Sequence, residues 1–374
     1  MDSQKDFNLG DSSKGEKEGM QPSTGNNQFE PFEFLKKMIQ PGRVMKRSKN
    51  NLSSNEVWSV CRAVIDEFKK EQNLMEVSAP VTVIGDVHGN FHDLYRALLA
   101  RTEQDITDEQ KSNFSTRQFV RDKYVFLGNY IDKGPRSIEC ICLLFAFKIC
   151  FPQKYILLRG PHECPSVNSS EFLGVMETFS PNHFKKIHKK FNEAFSWMPL
   201  AAVVGQKILC VHGGISPRLT SWEDIRKIKR PLKDATEDPL ATDLLFADTL
   251  DFDLIHIPTR KPKYEFNVIR NMSVMYNEAA VTQFCEKFNL KLIIRSHMKV
   301  PFGYRFFSEK RLITIFNSTG FQNESNYGAV LKIDGNAKIT IISLLPQQSK
   351  AEVQEKAHHS DMTSECNTMS SKGP

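Results

Sequence analysis

The chain has 374 residues, of which 40% are hydrophobic and 25% are charged, and this composition is typical of a globular protein. Its formal net charge is +6, and the Lys and Arg residues are scattered, without a basic stripe that contains interleaved aromatic residues. The densest basic cluster, VMKRSKN from Val44 to Asn50, is typical of a solvated loop. The charge pattern therefore argues against nucleic-acid binding.

The cysteines and apolar segments give no sign of export or membrane insertion. The eight cysteines occur without CxxC spacing, and several lie in apolar runs, where a free thiol packs as a small hydrophobe. The N-terminal MDSQKDFNLG lacks the basic-then-apolar pattern of a secretory signal. The longest apolar segment, CICLLFAFKICF, is too short to span a bilayer and contains Lys148. We therefore expect a reduced cytoplasmic or nuclear location and no membrane partner.

Both ends of the chain predict disordered tails. Residues 1–28 are rich in Ser, Gly, Lys, Asn and Gln, and residues 346–374 have a similar composition. Neither segment can bury enough apolar surface to offset the entropy that is lost on ordering. Residues 29–345 are therefore expected to form one continuous domain.

The predicted elements between the tails alternate between helix and strand. Residues 54–72 carry apolar side chains at helical spacing, and Ser54 and Asn55 are candidate N-caps. Short runs rich in Val, Ile and Leu predict five strands, which are VTVIGD, KYVFLGN, KYILLRG, KILCVHGG and LKLIIRSH. Three later runs predict closely spaced strands joined by short turns, which are RLITIFNS, AVLKID and KITIISL. The first half thus predicts β-α-β units, and the second half predicts a more antiparallel sheet.

Each of the first five predicted strands ends in a polar cluster drawn from Gly, Asp, Asn, His and Glu. One such cluster is often an ordinary strand-to-loop turn. Five in succession, each with a His, a carboxylate or an amide, indicate a shared site. In open α/β sheets, ligands bind beyond the carboxyl ends of the strands, where the loops converge. We therefore expect a functional site at that edge.

Two of these clusters contain typical metal ligands. Asp86 and His88, in GDVHGN, alternate along extended backbone, so that both side chains can point to one side. A carboxylate with an imidazole is half of a ligand shell that suits Mn, Fe or Zn. His212 and His297 add imidazoles from two further strands. Either histidine alone would more often be structural, but within this set we interpret both as ligands of a second metal.

The motifs together resemble the PPP family of metal-dependent protein serine/threonine phosphatases, and most closely its type-1 branch. They occur in the signature order GDVHGN, GNYIDKG, RGPHE, HGGISP and RSH, with similar flanking segments that include MPLAAVV, DLLFAD and GYRFF. The resemblance covers about residues 31–345. It implies an α/β protein of the calcineurin-like fold, in which two mixed β-sheets pack together between helices and a dinuclear metal centre lies at the loop end.

The resemblance also implies a role for each metal-site residue. Two cations about 3.5–4 Å apart would activate a bridging water, which attacks phosphorus in line. The retained ligand positions are Asp86 and His88 for the first metal, and His212 and His297 for the second. The Asp that both metals share falls on Asn129, and an Asn ligand of the second metal falls on Pro161. We expect Mn, although these ligand types also suit Fe and Zn.

Further positions match groups that act on the phosphate. His162, in PHE, matches the general acid that protonates the leaving seryl or threonyl oxygen. Asp132 matches the carboxylate that orients this histidine, and we expect it to favour the protonated imidazole. Lys133 and Arg270 match the arginines that hold the phosphate, and Asp248 matches a residue that supports the site loops.

Four departures weaken the predicted site. The Asn129 amide can bind a metal, but it neither neutralises nor bridges two dications well. Pro161 has no donor atom, and Lys133 lacks the planar fork of arginine. Phe321, in TIFNSTGF, lacks the hydroxyl that faces the site in the family. We therefore expect loose or single-metal occupancy, with the second metal bound less well.

Two functions are consistent with these motifs and their departures from the family pattern. The protein hydrolyses phosphoserine and phosphothreonine in proteins at a reduced rate, or it is a pseudophosphatase that binds phosphorylated or regulatory partners without turnover. In the second case, the retained polar residues serve loop hydrogen bonding. A small-molecule phosphoesterase is less consistent, because the resemblance extends well beyond the metal motifs. Phosphoprotein substrates and regulatory protein subunits are the expected partners.

Overall fold

The computed structural model describes residues 29–40, 52–100, 119, 122–250 and 263–346. The basic segment 44–50 and the predicted tails, apart from residue 346, lie outside these ranges. The predicted domain boundaries at residues 28 and 346 therefore stay predictions.

Helices and strands alternate along the described part of the chain, as the sequence predicts. The helices are α1 (Pro31–Ile39), α2 (Ser54–Lys69), α3 (Phe91–Leu98), α4 (Ser137–Cys150), α5 (Pro165–Asn168), α6 (Glu171–Phe179), α7 (Phe184–Phe195), α8 (Trp222–Arg226), α9 (Pro239–Phe246) and α10 (Glu278–Lys287). The strands are β1 (Leu74–Val77), β2 (Val81–Ile84), β3 (Tyr124–Phe126), β4 (Tyr155–Leu157), β5 (Ala201–Val204), β6 (Ile208–Val211), β7 (Asp248–Thr249), β8 (Tyr264–Phe266), β9 (Val274–Tyr276), β10 (Leu292–Arg295), β11 (Tyr304–Phe307), β12 (Leu312–Ile315), β13 (Gly328–Ile333) and β14 (Ile339–Leu344).

Helix α2 begins with a capping box at Ser53. The Ser53 hydroxyl accepts a hydrogen bond from the backbone N–H of Glu56, and the Glu56 carboxylate accepts one from the backbone N–H of Ser53. The prediction of Ser54 and Asn55 as caps was wrong. A capping box needs a glutamate three residues after the cap, and Glu56 has this spacing from Ser53.

The first sheet has five strands in the order β14-β13-β2-β3-β4. Strands β2, β3 and β4 run parallel, with Val83 opposite Val125 and Val125 opposite Ile156. Strand β13 pairs antiparallel with both β2 and β14. The predicted β-α-β arrangement of the first half is therefore confirmed.

The second sheet has six strands in the order β1-β5-β6-β10-β12-β11. Strand β10 pairs parallel with both of its neighbours, with Ile294 opposite Cys210 on one side and Ile313 on the other. The expected antiparallel second half was thus only partly right, because antiparallel pairing is limited to β5–β6 and β11–β12 in this sheet. Strands β12 and β13, which looked like adjacent strands, lie in different sheets.

The two sheets pack face to face through apolar side chains, and helices cover their outer faces. The buried cluster between the sheets includes Val83, Val125, Ile156, Cys210, Ile294, Ile313 and Leu331. A second buried cluster joins α1, α2, α4, α6 and α7 to the first sheet, and a third joins α8, α9 and α10 to the second sheet. This arrangement agrees with the predicted sandwich of mixed sheets. A small third sheet, β7-β9-β8, was not predicted.

The apolar run that carries Lys148 is part of the core. It forms α4, and seven cysteines of the described chain, several of them in this helix, are free thiols. Across the described ranges, none of the helices combines the length and the apolar composition that a bilayer span requires.

The carboxyl ends of β2 and β12 meet where the two sheets come together. A bridge pairs Asp86, just after β2, with Phe316, just after β12. The loops that follow β3, β4, β6 and β10 reach the same edge, since the parallel pairing aligns the ends of these strands. The fold therefore gathers the polar clusters of both sheets at one rim.

Candidate active site

Five residues with side chains adopt left-handed backbone conformations in the loops at this rim. The angle φ is 46° at His88, 57° at Asn129, 66° at Asp132, 64° at Lys133 and 65° at His297. This conformation is unfavourable for residues with a Cβ atom and persists where the surrounding structure fixes it, often at functional sites. The prediction of extended backbone at His88 was therefore wrong, because a turn brings its ring to Asp86.

Asp86 lies buried at the centre of the cluster. Its Oδ2 is 3.1 Å from His88 Nε2 and accepts a hydrogen bond of 2.9 Å from Asn129 Nδ2. Its Oδ1 lies 2.5 Å from the hydroxyl of Ser296 and accepts a hydrogen bond of 3.3 Å from the backbone N–H of His297. Both carboxylate oxygens are therefore engaged by protein groups.

Asn129 uses both ends of its amide within the protein. Its Nδ2 donates to Asp86, and its Oδ1 accepts a hydrogen bond of 3.1 Å from the backbone N–H of His162. Pro161 begins the short turn Pro161–Glu163 and contributes no donor side chain. Asn129 thus contacts the turn that Pro161 begins.

His212 and His297 contact each other on the opposite side of Asp86. His212 Nε2 is 3.2 Å from His297 Nδ1, and His212 Nδ1 is 2.8 Å from the carbonyl oxygen of Leu127. Burial lowers the pKa of His212 to about 4, and it also lowers the pKa of His297 well below its ordinary value. Both imidazoles are therefore neutral at pH 7, and His297 Nε2 is buried without a hydrogen-bond partner among the described residues.

This donor set does not fit the two-cation centre that the resemblance implied. In the part of the chain that the structure describes, no group of three or more His, Cys, Asp or Glu side chains is arranged to hold a metal ion. Asp86 is the sole carboxylate among the predicted ligands, and its oxygens already accept hydrogen bonds. Two dications would therefore meet one negative charge and an amide whose oxygen already accepts a hydrogen bond from the backbone of His162.

His162 and Asp132 form a close pair beside this cluster. His162 Nδ1 is 2.6 Å from Asp132 Oδ2, and the His162 ring packs edge-on against the His88 ring with 4.8 Å between centroids. Burial lowers the pKa of His162, and this effect exceeds the opposing effect of its hydrogen bond to Asp132. Asp132 therefore favours the protonated imidazole, as expected, while burial of the ring has the larger and opposite effect on its pKa.

Asp248 holds two arginines and an asparagine at the edge of the site. Its Oδ2 accepts hydrogen bonds of 3.0 Å from Arg270 Nε and from Asn267 Nδ2, and its Oδ1 accepts one of 3.0 Å from Arg295. Burial works against ionisation of Asp248, but the charges of Arg295 and Arg270 oppose it, and the pKa of Asp248 lies below its ordinary value. Asp248 therefore fixes the predicted phosphate-binding arginine in place.

The other two substituted positions lie at the periphery. Lys133 Nζ is 2.9 Å from Glu171 Oε2, so its charge is partly balanced by a glutamate of α6. The Phe321 ring lies 5.0 Å from the His88 ring and 5.1 Å from the Phe316 ring, between centroids. Phe321 thus places an apolar surface against His88, a predicted metal ligand.

Three residues that the sequence analysis did not single out hold the site together. Ser296 binds Asp86, and Arg295 donates to the carbonyl oxygen of Gly213 as well as to Asp248. Glu163 accepts hydrogen bonds from the backbone N–H groups of Asn129, Tyr130 and Gly160. All three lie inside the motifs RSH and PHE, next to candidate site residues in the sequence. This position could have identified them as residues that support the site.

A comparison with protein-family models decides the family. Residues 79–301 match the model of the calcineurin-like phosphoesterases, and this range is more than half of the chain. The chain belongs to this family. It is also 30% identical over 316 residues to a relative from Caenorhabditis elegans, the serine/threonine-protein phosphatase PP1-delta, and the match covers 84% of this chain and 94% of that protein. By family, the protein is a phosphoric monoester hydrolase, and the family implies divalent metal ions.

Two solved structures share the fold. A serine/threonine phosphatase from Saccharomyces cerevisiae with similarity to human phosphatase PP5 matches with a TM-score of 0.66 and 21% identity, over 80% of this chain and 91% of the other. A cold-active protein-tyrosine phosphatase from a psychrophilic Shewanella species matches with a TM-score of 0.51 and 16% identity, over 73% and 82% of the two chains. The predicted fold class and family resemblance are confirmed.

Proposed function

We propose that the protein hydrolyses phosphoserine and phosphothreonine side chains of proteins at a reduced rate. The observation that supports this proposal best is the 2.6 Å contact between His162 Nδ1 and Asp132 Oδ2. This contact leaves His162 Nε2 available for a leaving group. The name of the relative PP1-delta supports the substrate class. Phosphoprotein substrates, and regulatory subunits as in the PPP resemblance, are the partners that we propose.

Arg270 and Lys133 bind the phosphate in this proposal. Arginine has five N–H donors, and the bond to Asp248 uses the Nε donor of Arg270. Its terminal amino groups can therefore contact two phosphate oxygens at once. Lys133 adds a positive charge without the same directionality, and it must first separate from Glu171.

His162 donates the proton that the leaving oxygen needs. Water adds to phosphorus, the bond from phosphorus to the seryl or threonyl oxygen breaks, and His162 protonates that oxygen through Nε2. The negative charge of a bound phosphate favours the protonated imidazole and counteracts the effect of burial. Asp132 keeps the ring oriented through Nδ1.

Asn129 and Pro161 limit the rate. The donors that remain do not fit two cations, so the attacking water is activated less than in a site with the full ligand set. The expected enzyme therefore binds the phosphate and protonates the leaving oxygen, but it turns over slowly.

The test is a phosphatase assay of the full chain with a phosphoserine peptide and excess Mn²⁺, the cation that we propose. We expect slow turnover that decreases about a hundredfold or more in His162→Ala, the range that general acid catalysis usually contributes. His183→Ala, which changes a histidine at the start of α7, serves as the control and should retain turnover within about twofold. Equal turnover of His162→Ala and the unchanged protein would contradict the proposal.

Binding without turnover is the second candidate, and the engaged amide of Asn129 favours it. In that case, the phosphoserine peptide binds the full chain, binding is weakened by Arg270→Gln, and no phosphate is released with or without Mn²⁺. Elemental analysis separates the two candidates further, because two tightly held metal ions per chain would argue strongly against a site without turnover.

A further inference from the structure

The turn that precedes Arg270 exposes three large apolar side chains. Phe266 ends β8, and Val268 and Ile269 follow it in the turn that leads to Arg270. Phe266 is 57% exposed, Val268 is 75% exposed and Ile269 is 72% exposed. We call these three residues the apolar turn. Single apolar residues on a surface are common, but three within four positions beside a charged site indicate an interaction surface.

Hydrogen bonds to the Asp248 carboxylate hold the apolar turn in the conformation that exposes these side chains. Asn267 is fully buried, and its side chain donates to Asp248. Arg270 Nε donates to the same Asp248 oxygen, and the backbone N–H of Arg270 donates to Asn267 Oδ1 over 3.1 Å. Because the residues on both sides of Val268 and Ile269 are anchored inward, these two side chains are held outward.

The base of the turn is anchored as well. The backbone N–H of Asn267 donates to the carbonyl oxygen of Ser273 over 3.2 Å, and the Ser273 hydroxyl donates to Asp243 Oδ1 over 2.9 Å. The turn thus has a defined position before any ligand arrives. Covering its apolar side chains would release water at little cost in ordering.

The apolar turn is linked to the phosphate site through Asp248. This carboxylate also accepts a hydrogen bond from Arg295, and its Oδ1 lies 4.0 Å from His297 Nε2. A phosphate that binds the Arg270 guanidinium would therefore lie at one end of the apolar turn. Consecutive Cα atoms are about 3.8 Å apart, so the residues next to the phosphorylated side chain reach Val268 and Ile269.

We propose that the apolar turn selects phosphoprotein substrates that carry apolar side chains next to the phosphorylated serine or threonine. This inference rests on the proposed function, because it uses a phosphate bound at Arg270 to fix the position of the polypeptide. Neutral apolar side chains match this surface better than charged ones, since no charged residue interrupts the apolar turn between Phe266 and Ile269. The specificity is therefore for sequence around the phosphoresidue, not for the phosphate itself.

The test compares two phosphoserine peptides that differ at the three positions on each side of the phosphoserine, which are Leu in one and Gln in the other. Fluorescence anisotropy gives the affinity for the full chain, and phosphate release gives kcat/KM. We expect the Leu peptide to bind about tenfold more tightly, a difference of about 1.4 kcal/mol. Hydrolysis of p-nitrophenyl phosphate, which lacks flanking residues, provides the reference activity.

Variants test whether the apolar turn causes the preference for the Leu peptide. Val268→Thr with Ile269→Thr keeps β-branching and adds no charge, and it should reduce the difference between the peptides to less than about twofold. Its activity toward p-nitrophenyl phosphate should be unchanged. Val268→Leu with Ile269→Leu should retain the preference. Phe32→Gln, at a 46% exposed phenylalanine on α1, is the matched control and should also retain it.

Each other outcome overturns the inference in a recognisable way. Equal affinity for both phosphopeptides, with phosphate-dependent binding intact, would overturn it and leave the proposed function standing. Equal binding of an unphosphorylated Leu peptide would identify a docking surface for a regulatory segment instead. A dimer that the Thr double variant abolishes would identify a contact between two copies of this chain. Failure of both phosphopeptides to bind or react would overturn the proposed function itself.

Discussion

The two halves of the site differ in how their charges are balanced. On one side, which we call the acid side, His162 pairs with Asp132, and Arg270 pairs with Asp248. On the other, which we call the cation side, Asp86, Asn129, Pro161, His212 and His297 occupy the positions of metal ligands. The acid side keeps the groups that bind the phosphate and protonate the leaving oxygen in the proposed function. On the cation side, the proposed positions of the shared metal ligand and of a further donor are occupied by Asn129 and Pro161.

On the cation side, Asn129 and Asp86 form hydrogen bonds with each other and with neighbouring protein groups. A carboxylate at position 129 would face Asp86 and would be repelled unless a cation lay between them. The Asn129 amide instead donates a hydrogen bond to Asp86, and its oxygen accepts one from the backbone of His162. Asn129 therefore links Asp86 to the backbone at His162.

A large effect on the acid side is also expected from Asp132→Asn. Loss of the carboxylate removes the charge that orients His162 and stabilises its protonated form, so turnover of a phosphoserine peptide should decrease about a hundredfold. Asp132 is a positioning residue in this view, so the affinity for the peptide should change by less than about threefold. Steady-state kinetics and anisotropy measure the two effects separately, and a parallel loss of both would indicate local unfolding.

The cation side is expected to recover function through Asn129→Asp combined with Pro161→Asn. At an effective dielectric constant near 20, a unit charge about 2 Å from a dication interacts by roughly 15 kcal/mol before desolvation. If a tenth of this survives as net binding, Mn²⁺ affinity and turnover each increase at least about tenfold. Isothermal titration with Mn²⁺ and a phosphatase assay check the two quantities. No gain in either would mean that other parts of the site have changed as well.

The single variant Asn129→Asp tests whether the cation side depends on a metal. Without added metal, the new carboxylate lies against Asp86 and replaces a hydrogen-bond donor, so the free energy of unfolding should decrease by about 1–3 kcal/mol. Mn²⁺ should restore the thermal midpoint of the variant and affect the unchanged protein little. Thermal unfolding followed by circular dichroism measures both shifts. Equal stabilisation of Asn129→Asp and of the unchanged protein by Mn²⁺ would contradict the expected difference between them.

A smaller effect is expected from Lys133→Arg at the edge of the acid side. Arginine can grip two phosphate oxygens, but the nearby Glu171 competes for the new guanidinium. Peptide affinity should therefore increase by about threefold. Adding Glu171→Gln should increase it further, because the competing carboxylate is removed. Weaker binding in Lys133→Arg would show that position 133 does not face the bound phosphate.

Much of the fold followed from the sequence because its signals are local. Buried runs of Val, Ile and Leu predicted β2, β3, β4, β6 and β10, and the polar residues after them predicted the rim where the site lies. The resemblance to the PPP family added the order of the motifs. Pairing between distant strands was harder to predict, because the same apolar run suits parallel and antiparallel neighbours. Strand β12 illustrates this, since it pairs with β10 and β11 rather than with β13.

The sequence by itself determined which side chains are present at the site, including the missing charge at Asn129 and the missing donor at Pro161. The tertiary structure decided what these side chains do for each other. It turned the Asn129 amide toward Asp86, placed Lys133 against Glu171, and buried His162 deeply enough to lower its pKa. Hydrogen-bond direction, ion pairing and desolvation depend on atoms that are distant in the chain, and for that reason they could not be predicted from the order of the residues.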